Sequence, residues 1–160
     1  MTEPAPKAPT TKLRLRVFLS SPSDVVDERR MAQRVMARLQ GEFAQAVEIR
    51  PMVWEHEPIR ATETFQDQIE PPSESAVLIC ILWSRLGTRL PGQYTRADGT
   101  VYDSGTVFEL ETARTAFERN GRPDILVYRK TAPPLIDVSD RTERERRTQQ
   151  WDQLADYLSN

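Results

Sequence analysis

Apolar residues recur along this chain in two rhythms that take turns. Leu13 to Leu19 (LRLRVFL) alternates and then becomes wholly apolar, the pattern of a strand entering a core. Ser20-Ser21-Pro22-Ser23-Asp24 follows. Ser21 with Asp24 three residues on predicts a capping box, and Pro22 suits the first helical position. Val25, Arg29, Ala32, Val35, Met36, Leu39 and Phe43 then recur at helical spacing, which predicts a helix to about Gly41. Arg29 is the polar member of that stripe.

Val47 to Trp54 predicts a second strand. A polar connection from His56 to Thr62 leads to a short helix around Phe65 to Ile69 and a turn at Pro71-Pro72. Ala76 to Trp83 (AVLICILW) is nearly all apolar, as in a strand buried on both faces of a parallel sheet. Ser84 to Asp103 is long for a connection in a compact domain, and such loops are often functional. Inside it Asp98-Gly99 sits between two β-prone runs and predicts a small hairpin. Three glycines in this loop predict that it is mobile without ligand. Ser104 opens a third helix to about Asn120, and Asp124 to Tyr128 (DILVY) predicts a fourth strand. After Pro133-Pro134, a charged helix from about Arg141 carries Trp151, Leu154 and Leu158 on one face.

Strands alternating with helices predict an α/β fold. The architecture is a flavodoxin-like parallel sheet of four to five strands, with helices on both faces. Residues 1–12 are rich in Pro and Ala, have little to bury, and read as a disordered leader. Residues 13–160 read as one domain. The chain stops in a helix where another strand can follow, which leaves room for a longer natural protein.

Composition narrows the chemistry. Net charge is −2, so no overall basic field draws in nucleic acid. Cys80 is the single cysteine and His56 the single histidine, too few for a typical zinc site or a disulfide framework. No apolar run approaches a membrane span, and a cytoplasmic location fits these features. There is no Walker-type phosphate loop, so NTP hydrolysis has no support.

Ligands of open α/β sheets bind beyond the carboxyl ends of the strands. Ser20, Ser21, Trp54, Trp83 and Arg85 should land there, together with Ser104 at the start of the third helix. On that helix, Leu110, Ala113, Ala116 and Phe117 form an apolar stripe. Glu109 lies inside it, about 50° from its centre. Glu111 falls on the polar side beside Arg114, and Phe108 well outside the stripe. An inward carboxylate needs a partner or a job. Burial disfavours its ionised form, while the helix N-terminus favours it. Pairing with a nearby arginine and catalysis both fit at this level.

Asp103-Ser104-Gly105-Thr106-Val107-Phe108-Glu109 resembles the D-x-G-T-x-x-E segment of nucleoside deoxyribosyltransferases, in which the Glu attacks the sugar's anomeric carbon. The remainder is similar to TIR-like domains at the N-termini of bacterial STAND-type defence proteins. VFLSSPSDVVDERR, ILWSRLGT, FELETA and ILVYRK carry that likeness. The resemblance implies hydrolysis of NAD, as substrate and not as cofactor, with Glu109 as the single catalytic carboxylate. It also implies activation by self-association, a sensor or STAND module in a longer chain, and a role in antiviral defence. This sequence departs from the TIR pattern in two ways: no fifth strand is visible, and the loop before the Glu helix is long.

The chemistry suits one carboxylate. Cleaving nicotinamide from ribose builds positive charge at the anomeric carbon, and the base leaves neutral, so no general acid is needed. Trp54 and Trp83 fit either base stacking or rim packing. Ser20 and Ser21 fit ribose or phosphate contacts, or plain structural roles. Arg85 fits a pyrophosphate contact or an exposed position. His56 reads as a polar loop residue and Cys80 as core. Three functions remain open: an NAD glycohydrolase, a deoxyribosyltransferase-like enzyme, and a non-catalytic interaction module.

Overall fold

A computed structural model describes residues 11–53, 71–137 and 139–159. Four strands form one all-parallel sheet: β1 (Leu13–Ser20), β2 (Val47–Met52), β3 (Val77–Leu82) and β4 (Asp124–Arg129), in the order β2-β1-β3-β4. This is the flavodoxin-like order. Three helices accompany it: α1 (Val26–Glu42), α2 (Gly105–Asn120) and α3 (Arg141–Ser159).

Period-two alternation explains how the sheet buries both faces. Val17 and Leu19 of β1 and Ile81 of β3 pack with Met36 of α1. Phe18, Leu78, Cys80 and Leu82 point the other way, against Val107 and Ala113 of α2 and Leu154 of α3. Helices therefore cover both faces, α1 on one and α2 with α3 on the other. The near-continuous apolar run of β3 follows directly, because that strand is sandwiched.

The boundaries follow local chemistry, with one correction. Ser21 and Asp24 do not form a capping box. A 3-10 turn at Ser23–Val25 precedes α1, and no side chain caps either element. Both groups are engaged elsewhere: Ser21 Oγ accepts from Arg29 Nε at 2.7 Å, and Asp24 Oδ2 accepts from Ser84 Oγ at 2.7 Å. Tertiary partners have outcompeted the local motif. Ser104 does cap α2, accepting from the Val107 amide at 3.2 Å. Gly121 ends α2 at φ +69°, a left-handed conformation that glycine adopts without strain.

The predicted stripes shift when the helices dock. Of the set predicted for the first helix, only Val25 in the 3-10 turn and Arg29 and Met36 on α1 are buried, while Val35, Leu39 and the C-cap Phe43 are exposed. On α2 the buried set is Thr106, Val107, Glu109, Ala113 and Ala116, and Phe117 is exposed. On α3 Leu154 is fully buried with Tyr157 packed beside it, and Leu158 lies at the surface. The short helix around Phe65 to Ile69 and the His56–Thr62 connection lie outside the described residues. None of the described helices is long and apolar enough to cross a membrane.

Candidate functional site

The chain from β1 runs through α1 to β2 on one side of β1, whereas the chain from β3 runs through α2 to β4 on the other. The carboxyl ends of β1 and β3 thus flank a point where the connections diverge, the place where open α/β sheets bind ligands. Ser20 closes β1 there, beside its register partner Cys80. Both side chains point to the α2 face.

Glu109 comes down onto this pair from the second turn of α2. It is 6% exposed, and its Oε2 accepts a 2.6 Å hydrogen bond from Ser20 Oγ. The residues between them span most of two βα units, so only the fold brings them together. The negative charge is felt locally. The Cys80 thiol is pushed up to about 12, first by burial and then by the Glu109 carboxylate, while its hydrogen bond with Ser20 works the other way. Cys80 is therefore a protonated core thiol beneath the carboxylate.

The loops at this edge are braced rather than open-ended. Arg29 is 1% exposed and donates to Ser21 Oγ at 2.7 Å and to the Pro22 carbonyl at 2.7 Å, which ties α1 to the loop after β1. Asp24 Oδ2 accepts from the Ser84 amide at 3.1 Å as well as from its hydroxyl, bridging the loops after β1 and β3. Gly87 sits at φ +113°, and a Cβ there would lie 3.0 Å from Thr106 Oγ1, so the loop passes against the start of α2 at a glycine. Ser104 is fully buried, and its hydroxyl also donates to the Leu86 carbonyl.

The long connection folds back over α2. Thr95 and Val101 form an antiparallel bridge around the Asp98-Gly99 turn, the small hairpin that its sequence predicts. Arg96 donates from Nε and Nη2 to the two carboxylate oxygens of Glu111, at 2.8 and 2.9 Å. Phe108 meets Tyr94 and Tyr102 edge-on, with ring centroids 5.5 and 5.1 Å apart. One expectation changes accordingly: Glu111 is the anchor of the hairpin and not a free polar-side residue. Phe108, outside the apolar stripe of α2, packs beneath the hairpin.

The remaining candidate residues separate. Trp83 lies on the α1 side of the sheet, where its indole N–H donates to the Ala132 carbonyl at 2.6 Å and Lys130 sits 4.2 Å above its ring. Arg85 is partly buried beside Thr88, to which it donates at 3.2 Å. Trp54 and His56 lie outside the described residues. Ser21 and Ser104 have bracing partners, and Ser20 alone of the serines touches Glu109 among the described residues. Arg29 and Asp24 were not among the predicted site residues. An arginine in an otherwise apolar helical stripe was the signal for the first; no sequence pattern announces the second.

Among the described residues no cluster of His, Cys, Asp or Glu could hold a metal ion. Fold and site together define an α/β protein of flavodoxin-like topology with a buried carboxylate at the divergence of its crossovers. Compared with family models, curated proteins and solved structures, the chain matches none.

Proposed function

We propose that this protein is an NAD glycohydrolase of the TIR type, with Glu109 as its catalytic carboxylate. The observation that carries the reading is the Glu109 side chain itself: buried, held by Ser20, and set at the ligand-binding edge of the sheet. A carboxylate in that position can stabilise or attack the anomeric carbon as nicotinamide departs. The departing base is neutral, so the mechanism needs no second carboxylate. Ser20 holds the Glu109 carboxylate by one of its oxygens and so sets its orientation. Activation by self-association, and a place in antiviral defence as part of a larger protein, belong to the same proposal.

The test is incubation of the purified chain with NAD, with nicotinamide and ADP-ribose products followed by chromatography. Release that disappears in Glu109→Gln supports the reading. No NAD turnover, but exchange of bases on a deoxynucleoside, would replace it with the transferase reading.

A further inference from the structure

Buried polar atoms in a folded chain are nearly always hydrogen-bonded, because leaving water without a new partner is costly. Among the described residues, Asp24 Oδ1 and Arg85 Nε are buried and have no partner. Both belong to one junction at the carboxyl ends of the strands. Asp24 lies in the turn after β1, and Arg85 in the loop after β3, so they flank the crevice between those two paired strands. Ser84, the residue before Arg85, gives both its amide and its hydroxyl to Asp24 Oδ2, at 3.1 and 2.7 Å. Ser20, which holds Glu109, ends β1 just upstream of Asp24. Each orphan sits on an anchored side chain: Ser84 fixes the Asp24 carboxylate by its other oxygen, and Arg85 Nη2 donates to Thr88 at 3.2 Å. One is an anionic acceptor and the other a cationic donor, and the two atoms are not bonded to each other. A purely structural bridge would satisfy both ends.

We propose that Asp24 and Arg85 recognise a ribosyl phosphate, with the Asp24 carboxylate accepting from the ribose 2-hydroxyl and the Arg85 guanidinium donating to the phosphate. The chemistry of the pair selects this ligand. A sugar phosphate carries a hydroxyl donor and an anionic acceptor in one small molecule, which is the complement of an unpaired carboxylate oxygen beside an unpaired guanidinium N–H. Neither atom meets water, so the loops after β1 and β3 part as the ligand enters and close on it with both groups satisfied. A 2-deoxyribose lacks the hydroxyl that Asp24 takes. The pair therefore makes the site selective for ribose, which favours the hydrolase reading of Glu109 over deoxyribosyl transfer. The inference rests on the proposed function for the placement of substrate at this edge, and adds the sugar that the site accepts.

Titration of the 160-residue chain with ribose 5-phosphate and with 2-deoxyribose 5-phosphate, followed by nuclear magnetic resonance, tests it. The wild type should bind the ribose compound about tenfold or more tightly, the scale of one hydrogen bond to a charged acceptor. Asp24→Asn keeps an oxygen for Ser84 and turns an amide N–H to the ligand, and should bring the two affinities to within about twofold of each other. Ser84→Ala loosens the anchor but keeps the acceptor, and should retain the preference. Arg85→Gln should weaken both compounds alike. A merely structural Asp24 would change both affinities together and leave their ratio as it was. The comparison of the two sugars on the wild type needs no variant, so it decides the matter if Asp24→Asn misfolds. Binding of neither compound, equal affinities in the wild type, or an unchanged ratio in folded Asp24→Asn overturns the proposal. A ribose preference without nicotinamide release supports this assignment and removes NAD as the substrate, whereas release without the preference does the reverse. The two proposals thus fail separately.

Discussion

Ser20 Oγ lies 2.6 Å from Glu109 Oε2, joining the end of the first strand to a carboxylate 89 residues further along the chain. A buried carboxylate is costly unless its oxygens are hydrogen-bonded, so this contact holds the group in one orientation. Cys80, the register partner of Ser20, has its thiol pushed up first by burial and then by this carboxylate.

Glu109→Gln should leave the fold intact and reduce nicotinamide release by about a hundredfold or more. The amide keeps the shape and can still accept from Ser20. Glu118→Gln is the appropriate control, because its exposed carboxylate pairs across one turn of the helix, with Arg114. Glu111→Gln is unsuitable, since Glu111 anchors the hairpin. Equal losses in Glu109→Gln and Glu118→Gln, with circular dichroism unchanged, would refute the assignment.

Ser20→Ala should destabilise the chain by about 1–3 kcal/mol, the scale for a buried hydrogen bond to a charged group. A double-mutant cycle with Glu109→Ala, which removes the acceptor, read by urea unfolding, should show coupling of at least about 0.5 kcal/mol. Strict additivity would mean that the contact contributes nothing to stability.

Alkaline pH should separate wild type from Cys80→Ala. The Cys80 thiol moves from 9.0 to about 12 on folding. The native state thus holds this proton more tightly than the unfolded chain does. The stability this contributes is complete below pH 9 and is lost as pH rises from 9 towards 12. Wild-type stability should therefore fall more steeply than that of Cys80→Ala across this window, by up to about 1.4 kcal/mol per pH unit. Tyr157, pushed up to about 12 chiefly by burial, acts in the same direction in both proteins, and the smaller part that Cys80 contributes to its shift adds to the steeper fall of the wild type. Parallel stability curves from pH 9 to 11 would contradict this. Native Cys80 should also resist alkylation at neutral pH until urea unfolds the chain.

Phe108→Ser should release the hairpin from α2. The substitution deletes both edge-on contacts with Tyr94 and Tyr102, at a cost of roughly 2 kcal/mol. Hydrogen exchange at residues 94–102 should quicken, and Glu111→Gln should produce a smaller change in the same segment. Unchanged exchange in Phe108→Ser would show that the tyrosines do not depend on that ring.

Much of this protein is legible in its sequence because the responsible physics is local. A wholly apolar run such as AVLICILW is a sandwiched strand in almost any context, since both faces must be buried. Strands alternating with amphipathic helices specify a parallel sheet, and Asp98-Gly99 specifies its turn. Ser104 reads as a cap because the unpaired amides it serves lie within three residues. Glu109 reads as inward because helical geometry alone sets its direction relative to Ala113 and Ala116.

The tertiary structure decided everything that depends on which partner arrives first at a polar group. Ser21 and Asp24 have the spacing of a capping box, yet Arg29 and Ser84 take their oxygens, and no local pattern weighs those competitors. Trp83 and Glu109 both belong to the same sheet edge in sequence, but strand parity sends Trp83 to the opposite face. Glu111 reads as outward until the hairpin folds over it, and the sequence leaves open whether Phe108 packs under the loop or meets another subunit. The Ser20–Glu109 contact is of the same kind. Each residue is ordinary by itself, and their meeting follows only from the order β2-β1-β3-β4, which sets the end of β1 beneath α2. Backbone geometry acts over a few residues and is written in the sequence, whereas side-chain partnership acts across the fold and exists only once the chain has closed.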